Sequence, residues 1–171
     1  VDEGKKGIVS GTVAKDLRKL REDDKVKAVV LRVNSGGGSA FGSEQMWYEI
    51  EQLKAVKPVV VSMGDYAASG GYYISCAANY IIAQPATLTG SIGIFGMIPE
   101  VEKLAKRLGV AMETVSTNNL GVMDNIAKPM NNDAKALIQR NINDGYELFV
   151  KRCADGRGMS TDEIKAIAEG R

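Results

Sequence analysis

Apolar positions along this chain follow two different periods. Val13, Leu17 and Leu20 fall at i, i+4 and i+7, and predict an amphipathic helix with Thr12 as its N-cap. The next apolar run, Val26 to Val33 (VKAVVLRV), is dense in Val and Leu and predicts a strand interior to a sheet. Met46, Ile50 and Leu53 restore the helical period behind Ser43, which is placed as the cap of a helix ending near Val56. Val59, Val60 and Val61 are continuous and β-branched, as in a strand buried on both faces, with Gly64 and Asp65 expected to break it. Tyr72 to Ala78 then reads as a helix with Tyr73, Cys76 and Ala77 on one face.

Further on, Tyr80 to Ala83 predicts a short strand, and Thr87 to Gly96 (TLTGSIGIFG) is punctuated by glycine. Pro99 is placed at the start of a helix bearing Val101, Leu104 and Leu108, and Val110 to Val115 as a strand. Ser116 to Asn132 has no period and reads as a loop. Ala134 to Cys153 is the longest predicted helix, striped by Ile138, Ile142, Tyr146, Phe149 and Cys153. A capping box, Ser160 to Glu163, precedes Ile164 and Ile167.

Helix, strand, glycine-rich exit, helix, strand, glycine-rich exit is the order of the first half. Successive β-then-α units imply parallel pairing with right-handed crossovers, so the chain is α/β. Both glycine-rich exits then lie at the carboxyl ends of the strands, where α/β proteins place their sites. The reading takes residues 1–171 as one domain.

Charge adds one exclusion. Net charge is +1, with basic residues scattered among acids, so nothing argues for nucleic acid. No apolar run is as long as a membrane span and no signal peptide is evident. The abrupt start at Val1 and end at Arg171 suggest a piece of a longer protein. Cys76 and Cys153 are read as two buried free thiols rather than a bridge. No cluster suggests a metal, and no cofactor is expected.

The absence of histidine changes the picture more. A Ser-His-Asp site cannot be assembled from this chain alone. Any nucleophile must use a lysine, a carboxylate or a group from another chain as its base. The candidate hydroxyl is Ser69, flanked by Ala67, Ala68, Gly70 and Gly71 at a strand-to-helix turn. There it is either a nucleophile beside amides that stabilise an oxyanion, worth about 3–4 kcal/mol each, or simply an N-cap. The loop Asn34 to Ala40 (NSGGGSA) carries three successive glycines after a buried strand. It lacks phosphate-loop spacing, which leaves an oxyanion hole or a flexible turn.

Three stretches occur in order: Asn34 to Ser39 (NSGGGS), Asp65 to Tyr73 (DYAASGGYY) and Thr89 to Gly93 (TGSIG). Together they resemble the signal peptide peptidases of serine peptidase family S49, from about Gly7 to Arg171. The resemblance implies a Clp protease/crotonase-like fold of stacked β-β-α units and a Ser-Lys dyad. It makes Ser69 the nucleophile and gives the oxyanion hole to Gly37, Gly38 and Gly70, with the N–H of Ser69 itself. Ser91 matches the serine that holds the lysine amine. Hydrophobic extended peptides, including cleaved signal peptides, are the implied substrates, with Met63 and Tyr66 as candidate pocket residues. A homo-oligomer at the bacterial cytoplasmic membrane, facing the extracytoplasmic side, is the implied setting.

The chain departs from the family pattern twice. Gly36 stands where the family usually has proline. No lysine occurs in Asn119 to Asp124, where single-domain members carry the base. The chain therefore resembles the carboxyl-terminal, serine-bearing half of the long two-domain members, whose lysine lies in the other half. Lys128 is a nearby substitute, followed by Pro129. The expectation is a fragment that hydrolyses peptides poorly by itself. The alternatives are a crotonase-type acyl-CoA enzyme, and a non-catalytic module that binds peptides or builds an oligomer.

Overall fold

The computed structural model of the chain describes residues 7–121, 123 and 125–170. They fall into two compact units. One runs to Ile94 and resumes at Tyr146; the other spans Phe95–Gly145.

Among the described residues, the first unit holds a four-stranded sheet in which every pairing is parallel. Strand β1 (Val29–Ser35) pairs with β2 (Val59–Ala68), which also pairs with β3 (Tyr80–Ile82) and, farther along, with β4 (Leu88–Gly90). The parallel arrangement is the one that the β-then-α order requires.

Strand β2 is not broken at Gly64 and Asp65, as the sequence suggests, but runs on to Ala68. The register explains how. Val33 pairs with Met63, yet Ser35 pairs with Ala67, so β2 carries extra residues in an irregularity. Asn34 bridges it: its carboxamide oxygen accepts the Tyr66 N–H at 3.0 Å. Gly64 is needed because a Cβ there would lie 2.8 Å from the Asn34 side chain. The bulge therefore carries the carboxyl end of β2 past the exit of β1.

Helix α1 (Ser10–Glu22) packs against α2 (Ala40–Lys54), and Leu17, Met46, Ile50 and Leu53 are buried in one core with residues of the sheet. Each such side chain contributes about 1.5–3 kcal/mol by leaving water. The cap of α1 falls at Val9, so Thr12 lies inside the helix and donates its N–H to the Val9 carbonyl at 3.1 Å. Helix α2 begins earlier than predicted, capped by Ser39, whose hydroxyl accepts from Gly42 N–H. Met63 is sealed into this core, which removes it as a pocket residue, whereas Tyr66 is exposed.

A second apolar cluster joins α3 (Gly70–Ser75) to α5 (Asn132–Arg157) and α6 (Thr161–Ile167). Tyr73, Cys76, Ile92, Phe149, Val150, Cys153 and Ile164 form it. Backbones come very close here: a Cβ on Gly156 would overlap the Cys76 carbonyl oxygen. Arg157 donates to the carbonyls of Cys76 and Ala78, both at 3.1 Å, at the end of α3. The predicted capping box is present, with Ser160 and Glu163 exchanging bonds.

The second unit contains α4 (Glu102–Arg107) and the first part of α5. Helix α4 begins three residues after Pro99 and buries none of its residues. Val110 to Val115 forms no strand among the described residues, and Val115 is 99% exposed. A strand needs another strand to pair with, and none pairs with this segment among the described residues. Val122 and Asp124, within the segment read for a missing lysine, lie outside the described residues.

Candidate active site

Strand β1 and strand β2 each end in a glycine-rich turn, and the shifted register brings the two turns together. At the end of β1, Gly37 and Gly38 have φ of 109° and 145°, conformations that favour glycine. At the end of β2, Ser69 has φ 51° and ψ −121°, then the chain enters α3 at once. A non-glycine residue rarely adopts such a backbone, and strain of this kind persists only where surrounding structure enforces it.

The two turns touch. A Cβ added at Gly37 would lie 2.7 Å from Ser69 Cβ, 2.9 Å from Gly70 N and 3.1 Å from Ser69 Oγ. A Cβ added at Gly70 would lie 3.3 Å from Gly37 Cα and 3.4 Å from Gly38 N. Glycine is thus required on both sides of the contact. Ser43 closes the floor. It is fully buried, donates its hydroxyl proton to the Ser39 carbonyl at 2.8 Å, and its Oγ would lie 2.5 Å from a Cβ on Gly70.

The amides around Ser69 are not equivalent. Ser69 N–H donates to the Gly90 carbonyl at 2.8 Å, and Gly37 N–H donates to Ser35 Oγ at 3.1 Å. Two of the amides that the sequence reading assigns to an oxyanion hole are therefore engaged within the protein. Gly70, as the first residue of α3, has an N–H that no intrahelical acceptor can reach. Gly38 N lies beside it. These two are the donors the turn leaves available.

Ser69 is half-buried, and among the described residues no side chain hydrogen-bonds its Oγ. Ser91 is exposed and follows Gly90, so β4 delivers it alongside the Ser69 turn. Thr89 fastens β4 there by donating to the Ala67 carbonyl at 2.8 Å. Lys128 belongs to the other compact unit. Gly37, Gly38, Ser69, Gly70 and Ser91 are thus gathered at the carboxyl ends of β1, β2 and β4.

The sequence does not reveal what stands behind the turn. Tyr73 OH donates to Glu44 Oε2 at 2.5 Å, and Arg152 pairs with the same carboxylate at 2.5 Å. Arg152 also stacks 3.7 Å from the centre of the Trp47 ring. Burial, then Glu44, push the Tyr73 phenol well above its ordinary pKa, so it remains a donor. Arg152 and Glu44 are separated by 108 positions, and no periodicity links residues that far apart. No group of ligating side chains able to hold a metal occurs among the described residues.

The sequence profile of peptidase family S49 matches residues 51–171. Protease 4 of Salmonella typhi is 48% identical over 166 residues, aligning 96% of this chain with 27% of that protein. Protease 4 of Haemophilus influenzae is 47% identical over 163 residues, covering 93% of this chain and 26% of that protein. The chain thus spans about a quarter of the length of these relatives. Among solved structures, a point mutant of ClpP1 from Listeria monocytogenes superposes with a TM-score of 0.55 at 14% identity. That match covers 92% of this chain and 70% of the other, and shows a Clp protease-like fold.

Proposed function

The chain belongs to peptidase family S49, and from that membership we propose that Ser69 is the nucleophile of a serine peptidase whose base is a lysine outside these residues. The observation that carries the reading is the contact of Gly37 with Ser69 at a strained strand-to-helix turn. A half-buried hydroxyl on a sharp turn, beside the amides of Gly38 and Gly70, is what acyl transfer needs.

The chemistry runs in two stages. Ser69 Oγ attacks the peptide carbonyl carbon while its proton passes to a neutral lysine amine. The oxygen that becomes negative is received by the N–H groups of Gly38 and Gly70. The tetrahedral species collapses to a Ser69 acyl ester, and the leaving amine takes the proton from the lysine. Water, deprotonated by the same amine, then releases the acid. Ser91, beside Ser69, holds the amine in place.

A lysine amine is a base only when neutral, so burial must lower its pKa from about 10.4. Assembly of the serine-bearing half with a lysine-bearing half would provide that burial. Substrates on this reading are hydrophobic peptides in extended form, cleaved signal peptides among them. The working protein is a homo-oligomer at the bacterial cytoplasmic membrane. No helix among the described residues is long and apolar enough to cross a membrane.

The test is fluorophosphonate labelling of the full-length protein, with the labelled peptide mapped by mass spectrometry, alongside hydrolysis of an apolar peptide. Label on Ser69, and loss of both signals in Ser69→Ala, is expected. Hydrolysis that survives Ser69→Ala would overturn the reading.

A further inference from the structure

Helix α3 has six residues and no side-chain cap at Ser69. A helix this short supplies little stability of its own. Yet Ser69, immediately before it, holds φ 51° and ψ −121°. Something outside α3 must enforce the turn.

The chain of contacts begins at Ser69 itself. Its carbonyl accepts the Tyr73 N–H at 2.8 Å, the first bond of α3. The other end of Tyr73 is held as well, its OH donating to Glu44 Oε2 at 2.5 Å. Glu44 sits on α2 next to Ser43, which packs against Gly70. The carboxylate is fixed in turn by Arg152 of α5, whose Nη2 donates at 2.5 Å and Nε at 3.4 Å. A planar fork on a carboxylate sets its orientation as well as its distance. Arg152 is itself immobilised on the Trp47 ring at 3.7 Å, and Tyr73 on Phe149 at 4.6 Å.

We propose that Glu44, Tyr73 and Arg152 are positioning residues that hold the Ser69 turn in its reactive conformation, by tying α3 at once to α2 and to α5. The effect reaches the hydroxyl through backbone: the carboxylate sets the phenol, the phenol sets Tyr73, and Tyr73 N–H sets the Ser69 carbonyl. None of the three side chains contacts the substrate. Their loss therefore slows acylation without weakening peptide binding.

This inference rests on the proposed role of Ser69, and its test keeps the two apart. In the full-length protein, Tyr73→Phe removes only the phenolic oxygen, and Glu44→Gln keeps an acceptor for Tyr73 while removing the charge that holds Arg152. For Tyr73→Phe, kcat and the rate of Ser69 phosphonylation should both fall about tenfold, with KM nearly unchanged. Glu44→Gln should fall between Tyr73→Phe and the parent. Parental phosphonylation rates in both variants, or a raised KM at constant kcat, would overturn the inference. Amide exchange at Tyr73, whose N–H bonds Ser69, reports the same turn without catalysis. It should be about tenfold faster in Tyr73→Phe. Unchanged exchange would overturn the inference even with a normally labelled parent, whereas a parent that does not label at Ser69 overturns the peptidase reading instead.

Discussion

Ser69 and Ser91 each stand one residue beyond a paired position of two parallel strands, Ala68 beside Gly90, and both have φ of 51°. A positive φ at a non-glycine residue thus occurs twice, side by side. The two turns are also bonded, since Ser69 N–H donates to the Gly90 carbonyl at 2.8 Å. The orientation of that carbonyl depends on Gly90 itself, which has φ 82°.

Gly90→Ala tests this coupling. A Cβ at Gly90 would meet nothing within 4 Å, so the substitution acts through backbone conformation and not through a clash. A left-handed conformation costs an L-residue about 1–2 kcal/mol. If the chain relaxes instead, the carbonyl turns away and Ser69 N–H is released. The expected outcome is a melting temperature a few degrees lower. Fluorophosphonate labelling should be several-fold slower. Unchanged labelling would show that the β4 carbonyl does not hold the turn.

The adjacent glycines of the first loop should respond in opposite ways. At Gly36 a Cβ meets nothing within 4 Å and φ is not positive, so Gly36→Ala should leave labelling and stability near parental values. At Gly37 the Cβ would lie 2.7 Å from Ser69 Cβ, on a backbone with φ 109°. Gly37→Ala must move the loop away from Ser69 and Gly70. Loss of an oxyanion donor costs about 100-fold to 1000-fold in rate, and displacement of Gly38 should reach that range. Steady-state hydrolysis by the two variants in the full-length protein makes the comparison.

How much of this was legible in the sequence depends on whether the determining contacts are local. Met46, Ile50 and Leu53, and the Ser160 capping box, are local patterns, and each appears where the period or spacing puts it. The parallel order follows from the sequence of elements. The extension of β2 through Gly64 was not legible, because a glycine reads as a break. Only the Asn34 side chain, 30 positions away and placed by the register, turns it into a bulge. The choice of Ser39 over Ser43 as the cap was hidden for a similar reason. Both spacings suit a helix, and Ser43 is withdrawn to pack under Gly70. The stripe of Val101, Leu104 and Leu108 does mark a helix, α4, but periodicity tells which residues share a face, not whether anything covers it. Leu108 is 72% exposed.

Alkali should weaken the fold at α3. Burial, followed by the nearby Cys153 and Cys76, pushes the Tyr72 phenol up to about 12, and Tyr73 lies higher still for burial and the Glu44 carboxylate. An unfolded tyrosine ionises near 10. The folded state therefore prefers the neutral phenols, and this contribution is complete below about pH 10. It is lost as the pH climbs from there toward the folded values. Denaturation midpoints measured from about pH 9 to about pH 12 should fall steadily, and Tyr73→Phe should flatten the slope. An equal slope in the variant would mean that Tyr73 ionises as freely in the folded chain as in the unfolded one.

The two thiols should be silent until the chain opens. Cys76 and Cys153 are both free and both 0% exposed. A hydrogen bond with Cys76, then burial, hold the Cys153 pKa well above the ordinary thiol value. The thiolate is the reactive form, so burial and protonation act in the same direction. A soluble aromatic disulfide reagent should modify neither residue in the native protein and both after denaturant is added. The rate below the transition then reports global opening and should track the unfolding equilibrium. Cys153→Ser tests the packing separately, since it sets a hydroxyl in an apolar cluster and should cost about 1–3 kcal/mol. Rapid modification of Cys153 in the native state would mean that the contact between α3 and α5 opens locally, and with it the support behind Ser69.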